Sequence, residues 1–295
     1  MVRRLLEDGK SVRVLDDFST GRMENLEDIL DQIDLIEGDL RDTQAVEKAV
    51  DGVRNVLHAG ALASVVRSVE DPITTSQVNA CGTLRLLMAS RDAGIERFVY
   101  SSSSSVYGDT PTLPKREDMV PMPLSPYAVQ KLTGEYYCGI YHDLYGLKTF
   151  CLRYFNVFGP RQDPESPYSA VIPLFIDALK NDRPPVIYGD GNQTRDFTYV
   201  DDVVSANIRC CSAPDEAAGG VYNIAREDRM SINDLVHMLM SIMDKNIKPV
   251  YEDARPGDVQ DSQGDVSRTQ EILGWRAQTG FEDGLKKTVE HFVNG

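Results

Sequence analysis

The sequence contains no long apolar run and no excess of positive charge. No segment approaches the roughly 20 apolar residues of a membrane-spanning helix, and residues 1–8 lack the apolar core of a signal peptide. Lysine and arginine number 31 against 46 aspartates and glutamates, so the formal net charge is −15 at pH 7. We therefore expect neither a membrane nor nucleic acid as a partner. A small anionic substrate is not excluded, because a few arginines can line a pocket in an acidic protein.

Cysteine and histidine are scarce and show no disulfide or metal-binding pattern. The five cysteines are an odd number without a Cys-x-x-Cys pair, and the four histidines lack ligand spacing. His58, at a predicted strand end, is interpreted as a packed or supporting residue. A reduced, cytoplasmic protein without a metal site is the expectation.

Short apolar strands alternate with helices through the first half of the chain. Helices are predicted at residues 1–9, 23–30, 43–50, 72–93 and 125–145, and strands at 12–17, 35–40, 53–57 and 98–100. This alternation predicts an α/β fold with a doubly wound parallel sheet of the Rossmann type. We assign it to residues 1–155, and a smaller substrate-binding lobe, with segments that return to the first domain, to residues 156–295.

The stretch 98–131 carries the clearest chemical pattern. Its apolar run opens into five serines, Ser101 to Ser105, at the end of a parallel strand, where open α/β sheets bind their ligands. Farther on, Tyr127 and Lys131 are four residues apart on a predicted helix, so they share one face. A lysine ammonium favours the phenolate over the phenol, so a lowered Tyr127 pKa and a tyrosine base are predicted.

A strand-end serine followed by a helical Tyr-x-x-x-Lys resembles the catalytic pattern of the short-chain dehydrogenase/reductase superfamily. Counted back from Tyr107, Ser103 matches the catalytic serine, beside Tyr127 and Lys131. Residues 152–159 resemble the Leu-Arg-Tyr-Phe-Asn-x-x-Gly signature of the extended, nucleotide-sugar branch. The resemblance implies NAD as the cofactor, a UDP-sugar as the substrate, and a homodimer formed by the two long helices.

The resemblance also implies a set of cofactor contacts. Asp16 matches an acid that accepts hydrogen bonds from the adenosine ribose and repels a 2′-phosphate, which favours NAD over NADP. A plain strand-ending acid is the alternative for Asp16, and a structural hydrogen bond is the alternative for Asn79. The implied contacts are Asp16, Asp39, Leu40, Ala59, Gly60, Ala61, Asn79, Tyr127, Lys131 and Tyr154.

A first strand and a Gly-rich turn, which would cradle the pyrophosphate, are missing ahead of Asp16. The chain starts inside the helix that should follow that turn, and no Gly-x-x-Gly-x-x-Gly precedes Asp16. We interpret this as a start codon placed too late in a normal gene. A degraded enzyme is the alternative.

The substrate contacts implied by the resemblance lie mostly in the second half of the chain. Arg195 and Arg255 match arginines that hold the substrate diphosphate, a task that suits bidentate charge-assisted contacts. Asp258 matches an acid on the uridine ribose. Taken singly, each of these charged residues is more often part of a surface ion pair. The ordered set of matches along the chain argues against coincidence. The implied contacts are Ala63, Ser64, Ser104, Ser105, Asn156, Gln162, Ala170, Arg195, Arg255, Asp258 and Ser262.

Three of these positions bear on the reaction and the sugar. Ser104 and Ser105 replace the acids of sugar-nucleotide 4,6-dehydratases, which disfavours dehydration. Ser262 replaces the bulky tyrosine of strict glucose/galactose epimerases and leaves room for an acetamido group. The sequence is thus similar to UDP-N-acetylglucosamine 4-epimerases of the bacterial O-antigen type. A UDP-glucose/UDP-galactose or dual-specificity 4-epimerase remains an alternative, since Ala63 stands where a glycine is expected in the sugar pocket. A non-catalytic nucleotide-binding remnant is the alternative from another class, which the missing Gly-rich turn favours and the intact set of Ser103, Tyr127 and Lys131 opposes.

Overall fold

The computed structural model describes residues 1–163, 170–254 and 259–294. Strands β1 to β12 are Val12–Asp16, Ile33–Glu37, Asn55–His58, Arg97–Ser103, Lys148–Tyr154, Val157–Phe158, Val186–Tyr188, Thr194–Arg195, Thr198–Tyr199, Gly220–Ile224, Met230–Ser231 and Val250–Glu252. Helices α1 to α11 are Val2–Glu7, Thr43–Val50, Val65–Glu70, Pro72–Ser76, Thr83–Asp92, Pro126–Tyr145, Val171–Lys180, Val200–Cys210, Ile232–Ile242, Ser267–Leu273 and Phe281–Asn294. In these ranges no helix has the length and apolarity that crossing a membrane requires.

The main sheet is parallel and consists of two pieces. One piece has the strand order β10-β5-β4-β3, and the other pairs β1 with β2. The chain moves outward from β1 to β2 and then, from β3, outward in the opposite direction, which is the doubly wound arrangement. No described strand lies between β1 and β3. That is the position which the first strand of a doubly wound sheet occupies.

Burial differs sharply between the two pieces. In β4 and β5 five successive residues are buried, whereas every residue of β1 is partly exposed. β4 and β5 have strand neighbours on both sides and helices on both faces, while β1 is paired only with β2 among the described strands. The centre of the sheet is therefore the more deeply buried part, and it carries the serine run at its carboxyl end.

Helices cover the sheet on both faces, as a parallel sheet requires. On one face α2, α5 and α6 contribute to a core that includes Val46, Leu87, Phe98 and Tyr100. On the other face α8 and α10 pack over a core that includes Phe150. Helix α6, which belongs to the first of these layers, packs directly against β4 and β5.

The second half of the chain forms a further core and also returns to the sheet. Helices α7, α9 and α11 enclose buried residues that include Ile176, Leu235 and Leu285. Strand β10 pairs with β5, and α8 packs against β4 and β5. The domain boundary at residues 155 and 156 stays a prediction.

Two predicted helices differ from the structure. Residues 23–30 form two 3₁₀ segments, Met23–Asn25 and Glu27–Gln32, because Ile29 is the single buried side chain there and packing supports no full helix. The helix predicted at 72–93 extends from Pro72 to Asp92 but contains a π-helical segment, Gln77–Gly82. This wider turn places Asn79 where its side chain reaches a neighbouring loop.

Candidate active site

Helix α6 begins and ends where local sequence signals place it. The Ser125 hydroxyl accepts the N–H of Ala128, Pro126 takes the first helical turn, and Gly146 ends the helix at a φ of 70°. Within the helix, a Cβ on Gly134 would lie 2.3 Å from the Tyr100 hydroxyl. Only glycine at this position lets α6 approach β4 so closely.

Ser103, Tyr127 and Lys131 meet at the carboxyl end of β4. The Ser103 hydroxyl lies near the Tyr127 phenol, and its interaction with the phenol lowers the pKa of Tyr127. The buried Lys131 ammonium donates to the Ser101 carbonyl at 2.7 Å and lies 5.8 Å from the centre of the Tyr127 ring. The fold therefore brings the predicted catalytic set together, while its role in catalysis stays a prediction.

The pKa of Tyr127 shifts in the direction opposite to the one predicted. Burial raises the pKa of Tyr127 to about 12, although the hydrogen bond to Ser103 lowers it. Burial also lowers the pKa of Lys131 to about 8, against the charge of Glu135. The prediction was wrong for the protein's own residues, because desolvation of the phenolate outweighs the lowering effect of Ser103, and the Lys131 ammonium donates to the Ser101 carbonyl. These residues hold Tyr127 as a neutral phenol at neutral pH.

A buried ion pair lies one helical turn beyond Lys131. Arg153 binds the Glu135 carboxylate through two hydrogen bonds of 2.9 and 2.7 Å, and Ser102 donates to the same carboxylate. The Arg153 guanidinium lies 4.6 Å from the centre of the Tyr107 ring. Sequence reasoning missed this pair. The four-residue spacing from Lys131 to Glu135 was the available signal.

Asn79 supports the loop ahead of Ala63. Its Oδ1 accepts the Leu62 N–H at 2.8 Å, and its Nδ2 donates to the Leu62 carbonyl at 3.2 Å and to Gln130 at 2.8 Å. Gln130 in turn donates to Thr75 at 3.0 Å. The structural alternative for Asn79 therefore describes its side chain, and Gln130 is a connecting residue that sequence reasoning missed.

His58 is neutral and its tautomer follows from its neighbours. Its Nε2 lies 2.8 Å from the Thr83 hydroxyl, which donates its own proton to the Asn79 carbonyl at 2.6 Å. Nε2 must therefore carry the hydrogen. Burial lowers the pKa of His58 to about 3.

The predicted cofactor residues of the first strands lie at one edge of the fold. Asp16 ends β1, and the loops that carry Asp39 and Leu40 after β2 and residues 59–61 after β3 are in contact. A Cβ on Gly60 would lie 3.1 Å from Leu40 Cδ1. Asp39 is itself engaged by Arg41, whose hydrogen bonds hold the pKa of that carboxyl below its usual value.

The donors and acceptors at this edge fit NAD. Asp16 Oδ1 accepts the Phe18 N–H at 2.8 Å, which leaves Oδ2 for a ribose hydroxyl. The Lys131 ammonium has three N–H groups, of which Ser101 accepts one. A cradle of glycines for the pyrophosphate is not among the described residues.

Tyr154 uses its phenol within the protein. The hydroxyl lies 2.9 Å from Ser101 Oγ and 2.9 Å from Asn207 Oδ1, and burial raises its pKa to about 12. Its side chain thus braces β4, β5 and α8 under the site. A contact of Tyr154 with the nicotinamide remains a prediction.

A cavity of about 270 Å³ opens in the second lobe, and we call it the second-lobe cavity. Its walls are mainly apolar, with Phe158, Phe175 and Phe197 among them, and they include three predicted substrate residues: Asn156, Ala170 and Arg195. This volume is near the lower end of the roughly 300–1,000 Å³ of ligand pockets. It suits one ring system of a larger ligand.

Asn156 connects the second-lobe cavity with another predicted residue. Its φ is 24°, and its Nδ2 donates to the Asp196 carbonyl at 3.1 Å and lies 3.4 Å from the Ser262 hydroxyl. Gln162 donates to the carbonyl of Val157 in the cavity wall at 3.1 Å. The fold therefore gathers four predicted substrate residues around this cavity in addition to Ala170: Asn156, Gln162, Arg195 and Ser262.

The remaining predicted substrate residues lie nearer the serine run or outside the described ranges. Ser64, next to Ala63, caps α3 by accepting the Arg67 N–H at 3.0 Å. Ser104 and Ser105 form a turn after β4, in which the Ser105 N–H donates to the Ser103 hydroxyl at 3.2 Å. Arg255 and Asp258 lie outside the described residues.

Known proteins are similar to this chain over nearly its whole length. The model of the NAD dependent epimerase/dehydratase family matches residues 1–225. A UDP-N-acetylglucosamine 4-epimerase of Methanobrevibacter ruminantium, solved with UDP-N-acetylmuramic acid, shares 40% identity at a TM-score of 0.94, covering 99% of this chain and 93% of the other. The Thermus thermophilus UDP-glucose 4-epimerase, solved with NAD, shares 34% identity at a TM-score of 0.88, covering 99% and 94%. A UDP-glucose 4-epimerase of Mycolicibacterium smegmatis is 39% identical, covering 100% and 94%.

Proposed function

Because the chain belongs to the NAD-dependent epimerase/dehydratase family, we propose that it is a UDP-hexose 4-epimerase that interconverts UDP-N-acetylglucosamine and UDP-N-acetylgalactosamine. One observation carries the proposal: the phenol of Tyr127 lies between the Ser103 hydroxyl, which lowers its pKa, and a buried ammonium, 5.8 Å from the centre of its ring, at the carboxyl end of β4. These are the groups that a reversible alcohol oxidation needs.

In the proposed reaction Tyr127 acts as the phenolate, the form that the Lys131 ammonium together with the positive charge of bound NAD would favour, and takes the proton of the C4 hydroxyl while Ser103 hydrogen-bonds the same oxygen. Bound NAD would supply the acceptor and donor of the C4 hydride, and Asp16 and Lys131 are among the residues that would hold it. The resulting 4-keto sugar turns about its diphosphate, so the hydride returns to its other face and Tyr127 gives the proton back. The products differ from the substrates only in the configuration at C4.

The second-lobe cavity supports the UDP part of the proposal. Its apolar walls suit the uracil ring, and Arg195 in the wall carries a charge that suits the diphosphate. An anchored nucleotide with a loosely held hexose is what the turning step requires. Arg255 and Asp258 remain predicted partners of the same nucleotide.

The N-acetyl preference depends on Ser262. Its small side chain lies beside Asn156, which is a residue of the cavity wall. A UDP-glucose/UDP-galactose or dual-specificity enzyme is the second candidate, since relatives that act on UDP-glucose are nearly as similar. A non-catalytic nucleotide-binding protein is the candidate from another class.

Two measurements test the function. The NAD content of the purified protein and kcat/KM for UDP-N-acetylglucosamine and UDP-glucose are determined side by side. The proposal expects bound or bindable NAD and turnover that is faster with the acetamido sugar. Turnover of neither sugar in the presence of NAD would refute the enzyme, and preference for UDP-glucose would select the second candidate.

The variant Ser262→Tyr tests the pocket argument. A tyrosine should suppress turnover of the acetamido sugar by tenfold or more, an order of magnitude that corresponds to about 1.4 kcal/mol, and spare UDP-glucose. Ser262→Ala is the matched control, since it keeps the space open. If both sugars lose activity equally, Ser262 does not set the specificity.

A homodimer through α5 and α6 is also proposed. The exposed face of α6 carries Val129, Tyr136, Ile140 and Leu144, and α5 adds Met88. An apolar stripe of this kind marks a protein–protein contact more often than a free surface. Ile140→Glu should shift sedimentation velocity from dimer to monomer, while Val293→Glu, an exposed position on α11, should not. The cytoplasmic location stays a prediction.

A further inference from the structure

The ion pair between Glu135 and Arg153 has no role in the proposed reaction as described so far. Tyr127, Lys131 and Glu135 follow one another at intervals of four residues and therefore lie on one face of α6. The side chains of Glu135 and Arg153 are 3% and 4% exposed. Three consecutive serines of β4 face this side of α6: the Ser101 carbonyl accepts from Lys131, Ser102 donates to Glu135, and the Ser103 hydroxyl lies near Tyr127.

Stability alone does not account for this pair. A buried ion pair often contributes no more than apolar side chains of the same volume, because both charges must be desolvated. Here the arrangement is also incomplete, since Arg153 Nη1 is buried and has no hydrogen-bond partner among the described residues. A buried donor without a partner is destabilising, because it loses its hydrogen bonds to water and gains none in return. The charges must therefore serve something other than a well-packed core.

The groups that surround Lys131 from each neighbouring element point to what they serve. Tyr127 and Glu135 lie on α6 itself, Tyr100 on β4, His58 at the end of β3, and Arg153, through its pair with Glu135, on β5. His58 is neutral, and burial keeps the Tyr100 phenol neutral by raising its pKa. Glu135 is thus the anion of this set.

We propose that Glu135 is a positioning residue that acts through Lys131: its charge, held in place by Arg153 and Ser102, keeps the buried lysine in its ammonium form beside Tyr127. Burial opposes that charge, and Glu135 counters burial. Arg153 holds the Glu135 carboxylate through two hydrogen bonds and fixes its place one helical turn from Lys131. This proposal rests on the proposed function in one respect, which is that Tyr127 acts as the base beside the Lys131 ammonium.

A titration of Lys131 tests the proposal without any substrate. The chain is labelled with 13C at the lysine ε carbons, the Lys131 signal is assigned by its loss in Lys131→Arg, and its pKa is followed by NMR. In Glu135→Gln the pKa of Lys131 should fall by about one unit or more, the ordinary effect of one close opposite charge. Glu135→Asp should restore most of the shift. Glu117→Gln, which neutralises a partly buried carboxylate that is not on α6, should leave Lys131 unchanged.

A second variant covers the case in which Glu135→Gln does not fold, since Arg153 would then be a buried, unpaired charge. Glu135→Gln/Arg153→Gln removes both charges and keeps hydrogen-bonding side chains for Ser102 and Tyr107. The pKa of Lys131 should also fall in this variant. A folded variant of either kind in which Lys131 titrates as in the parent protein would overturn the proposal.

Kinetics then separate this proposal from the proposed function. If the parent protein is an epimerase, the alkaline limb of kcat against pH should move down by the same amount as the Lys131 pKa, with KM unchanged, because Glu135 does not contact the UDP-sugar. A purely structural role would lower kcat at all pH values without moving the limb. If the parent protein epimerises no UDP-hexose, the proposed function fails, and the NMR titration still decides the role of Glu135.

Discussion

The two halves of the candidate site differ in polarity. The floor of the site, formed by residues 101–103 with Tyr127, Lys131, Glu135 and Arg153, is a chain of polar contacts between two strands, β4 and β5, and one helix, α6. The second-lobe cavity has mainly apolar walls and few polar groups. In the floor, hydrogen bonds fix the positions of individual polar atoms, whereas the cavity is defined mainly by the shape of its apolar walls.

This contrast predicts two kinds of response to substitution. Buried polar networks are sensitive, because one lost partner leaves another group unsatisfied. Apolar walls tolerate changes that keep their volume. We therefore expect changes in the floor to act on kcat and on acid stability, and changes at the cavity to act on the affinity for the nucleotide-sugar.

Tyr127→Phe is the sharpest test of the floor. Removal of the hydroxyl should lower kcat by about 10²–10⁴-fold, the usual contribution of a general base, while the UDP-sugar Kd by calorimetry stays within about twofold. Tyr136→Phe, at an exposed tyrosine of the same helix, is the control and should be silent. Unchanged turnover in Tyr127→Phe would exclude this residue as the base.

Arg195→Ala is the corresponding test of the cavity. Loss of a charge-assisted contact to the diphosphate should weaken UDP-sugar binding by about 10- to 100-fold, in line with 1.5–3 kcal/mol for such bonds, with a smaller change in kcat. Arg183→Ala, at an exposed arginine paired with Asp177 in the same lobe, should bind normally. Equal affinity in both variants would remove Arg195 from the nucleotide site.

The stability of the folded chain in acid should depend on His58, a buried neighbour of Lys131 in the floor. The pKa of His58 is lowered to about 3 in the folded chain from 6.5, so between these values the unfolded state binds a proton that the folded state does not. The free energy of unfolding should therefore fall as pH falls below 6.5, by up to about 1.4 kcal/mol per pH unit from this group. His58→Asn should flatten the slope in urea titrations from pH 7 to pH 4.5. His237→Asn, at an exposed histidine of α9, should retain it.

Local signals predicted the parts of the site that depend on helix and strand geometry. Ser125, Pro126 and Gly146 mark the ends of α6, and the spacing of Tyr127 and Lys131 puts them on one face whatever packs against it. The helix predicted at 23–30 was wrong because burial, which local pattern does not report, is too small there.

The partners of buried polar groups were beyond such reasoning. Asn79 meets Gln130 from 51 positions away, and Tyr154 meets Asn207 from 53. Nothing in the neighbourhood of either residue in the sequence indicates that its side chain is used inside the protein. The same holds for Arg153, which lies inside the signature that identified the branch but was assigned no role.

The amino-acid sequence by itself determined the α/β class, the ends of α6 and the common face of Tyr127 and Lys131, because these follow from periodicity, capping and residue type over a few positions. Only the tertiary structure decided the direction in which the pKa of Tyr127 shifts and which groups surround Lys131. It also decided that Asn156, Arg195 and Ser262 lie around one cavity. Those properties depend on desolvation and on contacts between distant segments, which arise only when the chain has folded.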